Sequence, residues 1–266
     1  MLDLEFAQIS DVGRVRPGNE DYVGHVLPQT PEQAGSIGWL FALADGVGGH
    51  EKGEVASSTA VESMLEGFRS VRKDEPLTSL MRRLVQSANA HVFETAIKSG
   101  VSGAGMATTL VACALRYDRA VVAHVGDSRC YMIRRNEVTT LTRDHTVASE
   151  HVKLGLLSED DVAEAETRHV LTRSLGGGLM VDVEVNDYQV LPGDVLLLCS
   201  DGLHGAVKSS EIAQIVGREA DLQAAAAQLV ALANERDGGD NVSAQLIRVK
   251  SVERVGMYRG RPYKLR

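Results

Sequence analysis

Short apolar runs of strand length recur along this chain, separated by turn residues. Runs of this kind are too short for independent helices and are rich in valine, and they predict strands at 4–9, 22–27, 39–44, 107–115, 120–125, 129–134, 138–141, 183–190, 194–199 and 242–249. The runs between residues 107 and 141 follow one another through tight connections, which predicts an antiparallel meander. The segment 28–38 is expected to be a loop.

Longer segments carry apolar residues at helical spacing, and they come in pairs. They predict helices over 51–71, 76–97, 209–216 and 222–233. Because strands and helices do not alternate regularly, a parallel sheet is not expected. The pattern instead predicts an α+β fold, an α-β-β-α sandwich in which two antiparallel sheets pack together and helix pairs flank them.

Several predicted strands begin or end on an aspartate beside a glycine. Asp45, Asp127 and Asp201 each follow an apolar run, and Asp240 precedes the last one. Asp-Gly is also a common turn signal, but a two-residue hairpin needs a second strand directly after the turn. After Gly46 come further turn residues and a predicted helix. We therefore expect these carboxylates to converge at one rim of the sandwich.

Composition narrows the class of protein. The chain has 266 residues and is 44% hydrophobic, which suits one large domain or two small ones. Its formal charge of −8 is opposite in sign to that expected of a nucleic-acid-binding protein. No segment resembles a signal peptide or a membrane span. Cys113, Cys130 and Cys199 lie far apart in apolar runs, so a cytoplasmic protein is expected rather than a disulfide or zinc framework.

Carboxylates that converge without compensation repel one another, and their pKa values rise. Divalent cations relieve that repulsion, and all-oxygen ligands favour Mg²⁺ or Mn²⁺ over zinc. Asp45 can bridge two ions, with the Gly46 carbonyl as a further ligand. Two ions about 3.5–4 Å apart hold a bridging water and favour in-line displacement at phosphorus. Arg16, beside the acidic pair Glu20-Asp21, is the natural partner for a substrate phosphate.

A set of motifs then stands in order along the chain: Arg16-x-x-Asn19-Glu20-Asp21, Ala44-Asp45-Gly46-Val47-Gly48-Gly49-His50, Met106-Ala107-Thr108-Thr109, His124-Val125-Gly126-Asp127-Ser128-Arg129, Asp144-His145-Thr146, Cys199-Ser200-Asp201-Gly202-Leu203 and Gly239-Asp240-Asn241-Val242. Together they resemble the bacterial branch of the PP2C (PPM) family of metal-dependent Ser/Thr phosphatases. The similarity extends from about Ser10 to Val249.

The resemblance implies a role for each matching residue. The first of two Mn²⁺ or Mg²⁺ ions would be bound by Asp45, Asp201 and Asp240. Asp45 and the Gly46 carbonyl would bind the second, with Glu20 acting through water. A weaker third ion would lie between Asp127 and Asp201.

Other residues would support that centre. Arg16 would hold the phosphate, while Asp21 and Asn241 would support the ligands from behind. A hydroxide bridging the two ions, held by Asp45, would attack phosphorus directly, without a phosphoenzyme.

The same resemblance implies a domain layout and partners. Residues 1–250 would form the phosphatase domain, with a flap insertion at 146–170, and residues 251–266 a basic tail. The substrates would be phosphorylated proteins, those of a cognate bacterial Ser/Thr kinase and the kinase itself. The protein is expected to be a cytoplasmic monomer that binds neither nucleic acid nor membrane.

Two further interpretations compete with this one. Gly126-Asp127-Ser128 with Asp201-Gly202-Leu203-His204 imitates a serine hydrolase pair, but that interpretation leaves Asp45 and Asp240 without a role. A non-catalytic phosphoprotein-binding module on the same fold is the main alternative, although such a module would be expected to lack metal ligands. Among the histidines, His50 and His204 are candidates to support the ligands, whereas His25, His91, His124, His151 and His169 are expected to be ordinary surface or core residues.

Overall fold

The computed structural model describes residues 2–47, 52–71, 75–100, 105–258 and 261–264. Its strands are β1 Asp3–Asp11, β2 Asp21–Val26, β3 Trp39–Asp45, β4 Leu110–Arg116, β5 Arg119–Val125, β6 Arg129–Arg134, β7 Glu137–Thr140, β8 Glu184–Gln189, β9 Val195–Cys199, β10 Val242–Ser251, β11 Val255–Tyr258 and β12 Arg261–Lys264. Its α-helices are α1 Pro31–Ser36, α2 Gly53–Arg69, α3 Leu77–Lys98, α4 Val147–Lys153, α5 Asp201–His204, α6 Ser209–Arg218 and α7 Leu222–Arg236. A 3₁₀ helix covers Glu159–Glu164.

Within these ranges the strands build two five-stranded antiparallel sheets and a small ribbon. One sheet has the order β1-β10-β9-β6-β7, the second has the order β2-β3-β4-β5-β8, and β11 pairs with β12 in the ribbon. The two-sheet fold predicted from the sequence is confirmed. The ribbon lies within the segment 251–266, whose separation from the domain as a basic tail stays a prediction.

Three apolar layers hold the sandwich together. Phe41, Leu198 and Ile247 are among the fully buried side chains between the two sheets. Helices α2 and α3 pack on the outer face of the β2–β8 sheet, where Met64 and Phe68 are fully buried. Helices α6 and α7 cover the other sheet. Alternate residues of the central strands therefore face either the inner layer or a helix layer, which is why these strands are apolar throughout.

The predicted meander between residues 107 and 141 is wrong as a single unit. Strands β4 and β5 pair in one sheet, whereas β6 and β7 pair in the other. The chain crosses between the sheets at Gly126, whose φ of +103° favours glycine. A Cβ at Gly126 would also lie 2.6 Å from the Thr109 side chain. This crossing places Asp127 between the two sheets.

The loop expected at 28–38 contains the short helix α1. Thr30 caps it by accepting a hydrogen bond from the Gln33 backbone N–H, and Pro31 occupies the first turn. Both residues are recognised helix-start signals, so the sequence contained the information that predicts this helix. In the part of the chain described here, no helix is long and apolar enough to cross a membrane.

One close approach fixes the strand ends that carry Asp201 and Asp240. A Cβ at Gly202 would lie 2.1 Å from the Asn241 carbonyl oxygen, so any larger residue there must push the backbone apart. Gly202 lies in α5, the short helix that follows β9, and Asn241 precedes β10. The absence of a side chain at Gly202 lets these two neighbouring strand ends stay in contact.

We therefore expect Gly202→Ala to lower the free energy of unfolding by about 1–3 kcal/mol, the usual cost of overpacking. Gly177→Ala is the matched control, because nothing lies within 4 Å of a Cβ at that position. Urea unfolding of the two variants and the wild type measures the difference. Equal midpoints for Gly202→Ala and Gly177→Ala would show that this contact does not constrain the fold.

Candidate metal centre

The structure brings the four predicted aspartates to one rim of the sandwich. Asp45 ends β3 of one sheet, and Asp201 follows β9 of the other. Asp240 precedes β10, and Asp127 lies in the crossing between the sheets. They are close enough that the charges of Asp201, Asp127 and Asp240 each raise the pKa of Asp45. Four segments that are remote in sequence thus supply one acidic cluster.

The backbone of Asp45 is held by a pair of threonines. The Asp45 N–H donates to Thr109 Oγ1 at 3.0 Å. The Asp45 carbonyl accepts from Thr108 Oγ1 and from the Thr109 N–H, each at 2.8 Å. Thr109 Oγ1 also bonds Ser128 Oγ at 2.7 Å. The Thr-Thr motif therefore acts as a clamp that fixes the direction in which the Asp45 side chain points.

Close backbone packing surrounds Gly46 and brings Glu20 to the same place. A Cβ at Gly46 would lie 2.4 Å from the Gly53 carbonyl oxygen and 2.9 Å from that of Glu20. The Gly46 N–H donates to the Glu20 carbonyl at 3.0 Å. The Glu20 side chain lies over Gly53, where a Cβ would meet Oε1 at 2.8 Å. Gly53 was not singled out in the sequence, because its role depends on this contact across the fold.

Asp21 is buried directly behind the cluster. It lies opposite Asp45 in the β2–β3 pairing, and its Oδ2 accepts from Ser200 Oγ at 2.8 Å. Its Oδ1 is buried without a hydrogen-bond partner. Burial, and then the charges of Asp201 and Asp240, raises the pKa of Asp21 to about 7. Asp21 is therefore a buried acid behind Asp45 whose neutral form is favoured by burial and by the neighbouring carboxylates.

The side chains of Asp45 and Asp201 lie close enough for each to affect the pKa of the other. Burial and the charges of Asp21 and Asp201 raise the pKa of Asp45 well above its ordinary value. Burial alone would also raise the pKa of Asp201, but the contacts with His169 and Asp45 hold it below its ordinary value. The two neighbouring acids therefore respond in opposite directions: the neutral form of Asp45 is favoured, whereas the ionised form of Asp201 is favoured.

Asp127 is buried, and His204 holds its backbone. His204 Nε2 donates to the Asp127 carbonyl at 3.0 Å, and burial lowers the pKa of His204 to about 4, so the ring is neutral at pH 7. Burial, and then the charges of Asp201 and Asp144, raises the pKa of Asp127 to about 7. Asp144 is itself bound by both nitrogens of the Arg129 fork, at 2.9 and 2.7 Å. His204 thus supports a predicted ligand, as the sequence suggested it could.

Arg16 lies against the cluster at Asp240. Its Nη2 donates to Asp240 Oδ2 at 2.8 Å, and about a third of each side chain is exposed. Asn241 holds the loop that carries Arg16: its Oδ1 accepts from the Glu20 N–H at 2.8 Å, and its Nδ2 donates to the carbonyls of Val12 and Gly18. Asn241 thus acts on the position of Glu20 and Arg16 through the backbone.

His169, expected from the sequence to be an ordinary surface or core residue, lies beside the acidic cluster. His169 Nδ1 lies 3.5 Å from Asp201 Oδ2, and one ligand atom from each of Asp127, His169 and Asp201 lies within 4.8 Å of the others. No spacing in the sequence points to this contact, because His169 belongs to a polar segment without periodicity. His50, which with His204 was expected to support the ligands, lies outside the described residues, as do Gly48 and Gly49 of the same motif.

A second group of potential ligands, formed by His124, His145 and Glu184, lies apart from the acidic cluster. The two imidazole rings stack with centroids 4.7 Å apart. His145 Nδ1 accepts from the Gly126 N–H, its Nε2 faces Glu184, and His124 Nε2 bonds the Arg143 backbone. Arg173 Nη1 lies 3.4 Å from His145 Nε2, and this cation opposes a metal ion there. The group therefore serves as a polar brace.

Comparison with known proteins agrees with this geometry. The sequence model of the family described as protein phosphatase 2C matches residues 20–247. The chain is 34% identical over 257 residues to the serine/threonine phosphatase stp of Listeria welshimeri, covering 95% of this chain and 96% of that protein.

Two solved structures extend the similarity to the fold. A serine/threonine phosphatase from S. agalactiae has a TM-score of 0.83 at 30% identity, covering 93% of this chain and all of that one. The catalytic domain of the serine/threonine phosphatase PstP, solved in complex with 2 manganese ions, has a TM-score of 0.79 at 30% identity, covering 94% and 99%. The chain belongs to the protein phosphatase 2C family.

Proposed function

We propose that this protein is a divalent-metal-dependent phosphatase that hydrolyses phosphoserine and phosphothreonine in proteins. The observation that carries the proposal is the convergence of Asp45, Asp201 and Asp240 from the ends of both sheets. Buried carboxylates that repel one another destabilise a fold, and such a cluster is typical of a site that binds cations. The activity of the family relatives supports the same conclusion.

The donor set fits hard divalent ions. Its side chains offer carboxylate oxygens, which suit Mn²⁺ and Mg²⁺. Asp45, Asp201 and Asp240 would hold the first ion, and Asp45 with the Gly46 carbonyl the second, with Glu20 acting through water. Ions bound in this way supply Lewis-acid stabilisation of the charge that develops on the phosphoryl oxygens and lower the pKa of a nearby water.

The surrounding residues would orient these ligands. Thr108 and Thr109 hold the backbone of Asp45, from which its carboxylate projects. Asp21 lies behind Asp45 and accepts a hydrogen bond from Ser200, which precedes Asp201. His204 holds the peptide of Asp127, the proposed ligand of a weaker third ion. These contacts would hold the ligands in place for the ions, which is the usual task of residues behind metal ligands.

Arg16 would bind the phosphate of the substrate. Its guanidinium is partly exposed and forms an ion pair with Asp240. The two parallel N–H groups of an arginine match the geometry of a phosphate. Because a phosphate dianion and Asp240 compete for the same guanidinium, Arg16 must loosen its contact with Asp240 when the substrate binds. Asn241 keeps the Arg16 loop in place during that exchange, since it bonds the backbone and not the guanidinium.

The proposal extends to partners and organisation. Phosphoserine and phosphothreonine in proteins are made by protein kinases, so the substrates would be those of a cognate bacterial Ser/Thr kinase and the kinase itself. The acting unit would be a cytoplasmic monomer of residues 1–250, with the flap at 146–170 beside the site and the basic tail at 251–266. A non-catalytic phosphoprotein-binding module is the alternative, and the presence of each predicted carboxylate ligand speaks against it.

We expect Mn²⁺-dependent hydrolysis of p-nitrophenyl phosphate, abolished by a chelator, and a loss of about 10²–10³-fold or more in kcat for Asp45→Asn. The substitution keeps the shape of the side chain and removes the charge that would hold both ions. Asp187→Asn is the matched control, because Asp187 lies on β8 and pairs with Arg119 of β5 in an ion pair partly open to solvent. Steady-state kinetics in Mn²⁺ measures the effect. Hydrolysis that persists in the chelated wild type would contradict the proposal.

We expect Arg16→Ala to raise KM more than it lowers kcat, because the lost contact is made already with the bound phosphate. Arg14→Ala, two residues earlier on the same loop, is the control and should leave both constants near the wild-type values. Kinetics with a phosphothreonine peptide measures both. A large fall in kcat at unchanged KM would instead assign Arg16 to the transition state alone.

A further inference from the structure

We propose that this protein selects phosphorylated residues whose neighbours in the substrate sequence are apolar, and that Val15 and Val170 contact those neighbours. This inference rests on the proposed function, since it names the class of phosphoprotein segment that the same site accepts. It assigns substrate contacts to two residues that take no part in binding ions or phosphate.

The two valines are exposed, and they border the acidic cluster at different points. The exposed fraction is 72% for Val15, which precedes Arg16, and Arg16 Nη2 bonds Asp240 Oδ2. The exposed fraction is 49% for Val170, which follows His169. The His169 ring lies 3.5 Å from Asp201. Each valine is therefore the sequence neighbour of a residue that touches a different aspartate of the cluster.

The loop that carries Val15 is fixed to the segment that precedes β10. The Arg14 N–H donates to the Gly238 carbonyl at 2.8 Å, and Asn241 Nδ2 donates to the Gly18 carbonyl at 3.0 Å. Valine itself has few side-chain rotamers. The backbone around Val15 is thus ordered before any substrate binds, so contact with a substrate costs little further conformational entropy.

The backbone around Val170 is anchored as well. Its carbonyl accepts from the Val147 N–H at 2.8 Å, and its N–H donates to the Thr167 carbonyl at 3.2 Å. The next residue, Leu171, pairs with Thr146 in an isolated bridge. Val170 therefore presents an apolar side chain to solvent from a fixed position, as Val15 does.

The geometry of a peptide decides which substrate residues reach these valines. With the phosphate held at Arg16, the phosphorylated residue lies over the acidic cluster. Neighbouring Cα atoms are about 3.8 Å apart in the substrate and in the enzyme alike. The side chains directly before and after the phosphorylated residue are therefore the ones within reach of Val15 and Val170. Because the two valines belong to separate segments, each serves a different neighbour.

These contacts favour apolar neighbours over polar ones. Covering an aliphatic side chain with a valine removes apolar surface of both from water, and the gain grows with the area removed. A serine at the same substrate position has less apolar surface, and a valine offers its hydroxyl no hydrogen-bond partner. The contact is made already in the bound substrate, so its loss should raise KM more than it lowers kcat.

The test is steady-state kinetics of the full chain in Mn²⁺ with four phosphothreonine peptides. These carry leucine on both sides of the phosphothreonine, leucine only before it, leucine only after it, or serine on both sides. Wild type is compared with Val15→Ser, Val170→Ser and Leu27→Ser. Leu27 gives the matched control, because it is also exposed but follows β2 at the end remote from Asp21. The ratio of kcat/KM between two peptides does not depend on the amount of active enzyme.

We expect the wild type to show a kcat/KM about fivefold or more higher for the peptide with two leucines than for the peptide with two serines. Val15→Ser should remove the preference on one side of the phosphothreonine and Val170→Ser that on the other, whereas Leu27→Ser should keep both. A wild type that does not discriminate, or a variant of either valine that keeps the full preference, would overturn this inference alone. Absence of Mn²⁺-dependent hydrolysis of p-nitrophenyl phosphate, which has no neighbouring residues, would overturn the proposed function as well.

Discussion

The repulsion among carboxylates at one rim of the sandwich is the constraint on which the rest of the structure depends. Asp45, Asp201, Asp240 and Asp127 meet there from both sheets, and the pKa of Asp45 rises in response. Two side chains that can carry positive charge already lie against this cluster, Arg16 at Asp240 and His169 at Asp201. The repulsion within this cluster lowers the stability of the fold, and bound cations would relieve it. Such clusters are a common feature of functional sites.

The fold holds these acidic residues in place mainly through contacts with their backbone and with the backbone of neighbouring segments. The carboxylate oxygens themselves face one another. Thr108 and Thr109 hold the peptide of Asp45, His204 holds that of Asp127, and Asn241 holds the loop before β2. The glycine contact between Gly202 and Asn241 keeps neighbouring strand ends close. Almost none of these contacts uses a carboxylate of the proposed ligands. The oxygens therefore stay available for ions while their positions are set from behind.

Much of this arrangement could be predicted from the sequence, because the signal was local. An apolar run ending on Asp-Gly and followed by a helix is rare for a simple turn, and its repetition pointed to convergence. Paired helical segments between groups of strands likewise gave the sandwich. Helix α1 was missed although Thr30 and Pro31 are ordinary start signals. The likeness of the motifs to a known family added the roles of the residues, which stay predictions.

The remainder depended on tertiary contacts that no local pattern contains. The short link between β5 and β6 fits a hairpin as well as a crossing, and only the packing of Gly126 against Thr109 separates the two. Arg16 was predicted to bind phosphate from its charge and position, and that role stays a prediction, but its contact with Asp240 joins residues far apart in sequence. His169 had no motif at all, since a polar flap segment has no periodicity to reveal which face meets the site.

If the acidic rim is a binuclear metal centre, anomalous diffraction from Mn²⁺-soaked crystals should locate its ions. We expect two strong anomalous peaks about 3.5–4 Å apart, with Asp45 between them and Asp201 and Asp240 bound to one ion. No anomalous density at this rim under saturating Mn²⁺, or density only at other acidic positions, would contradict it.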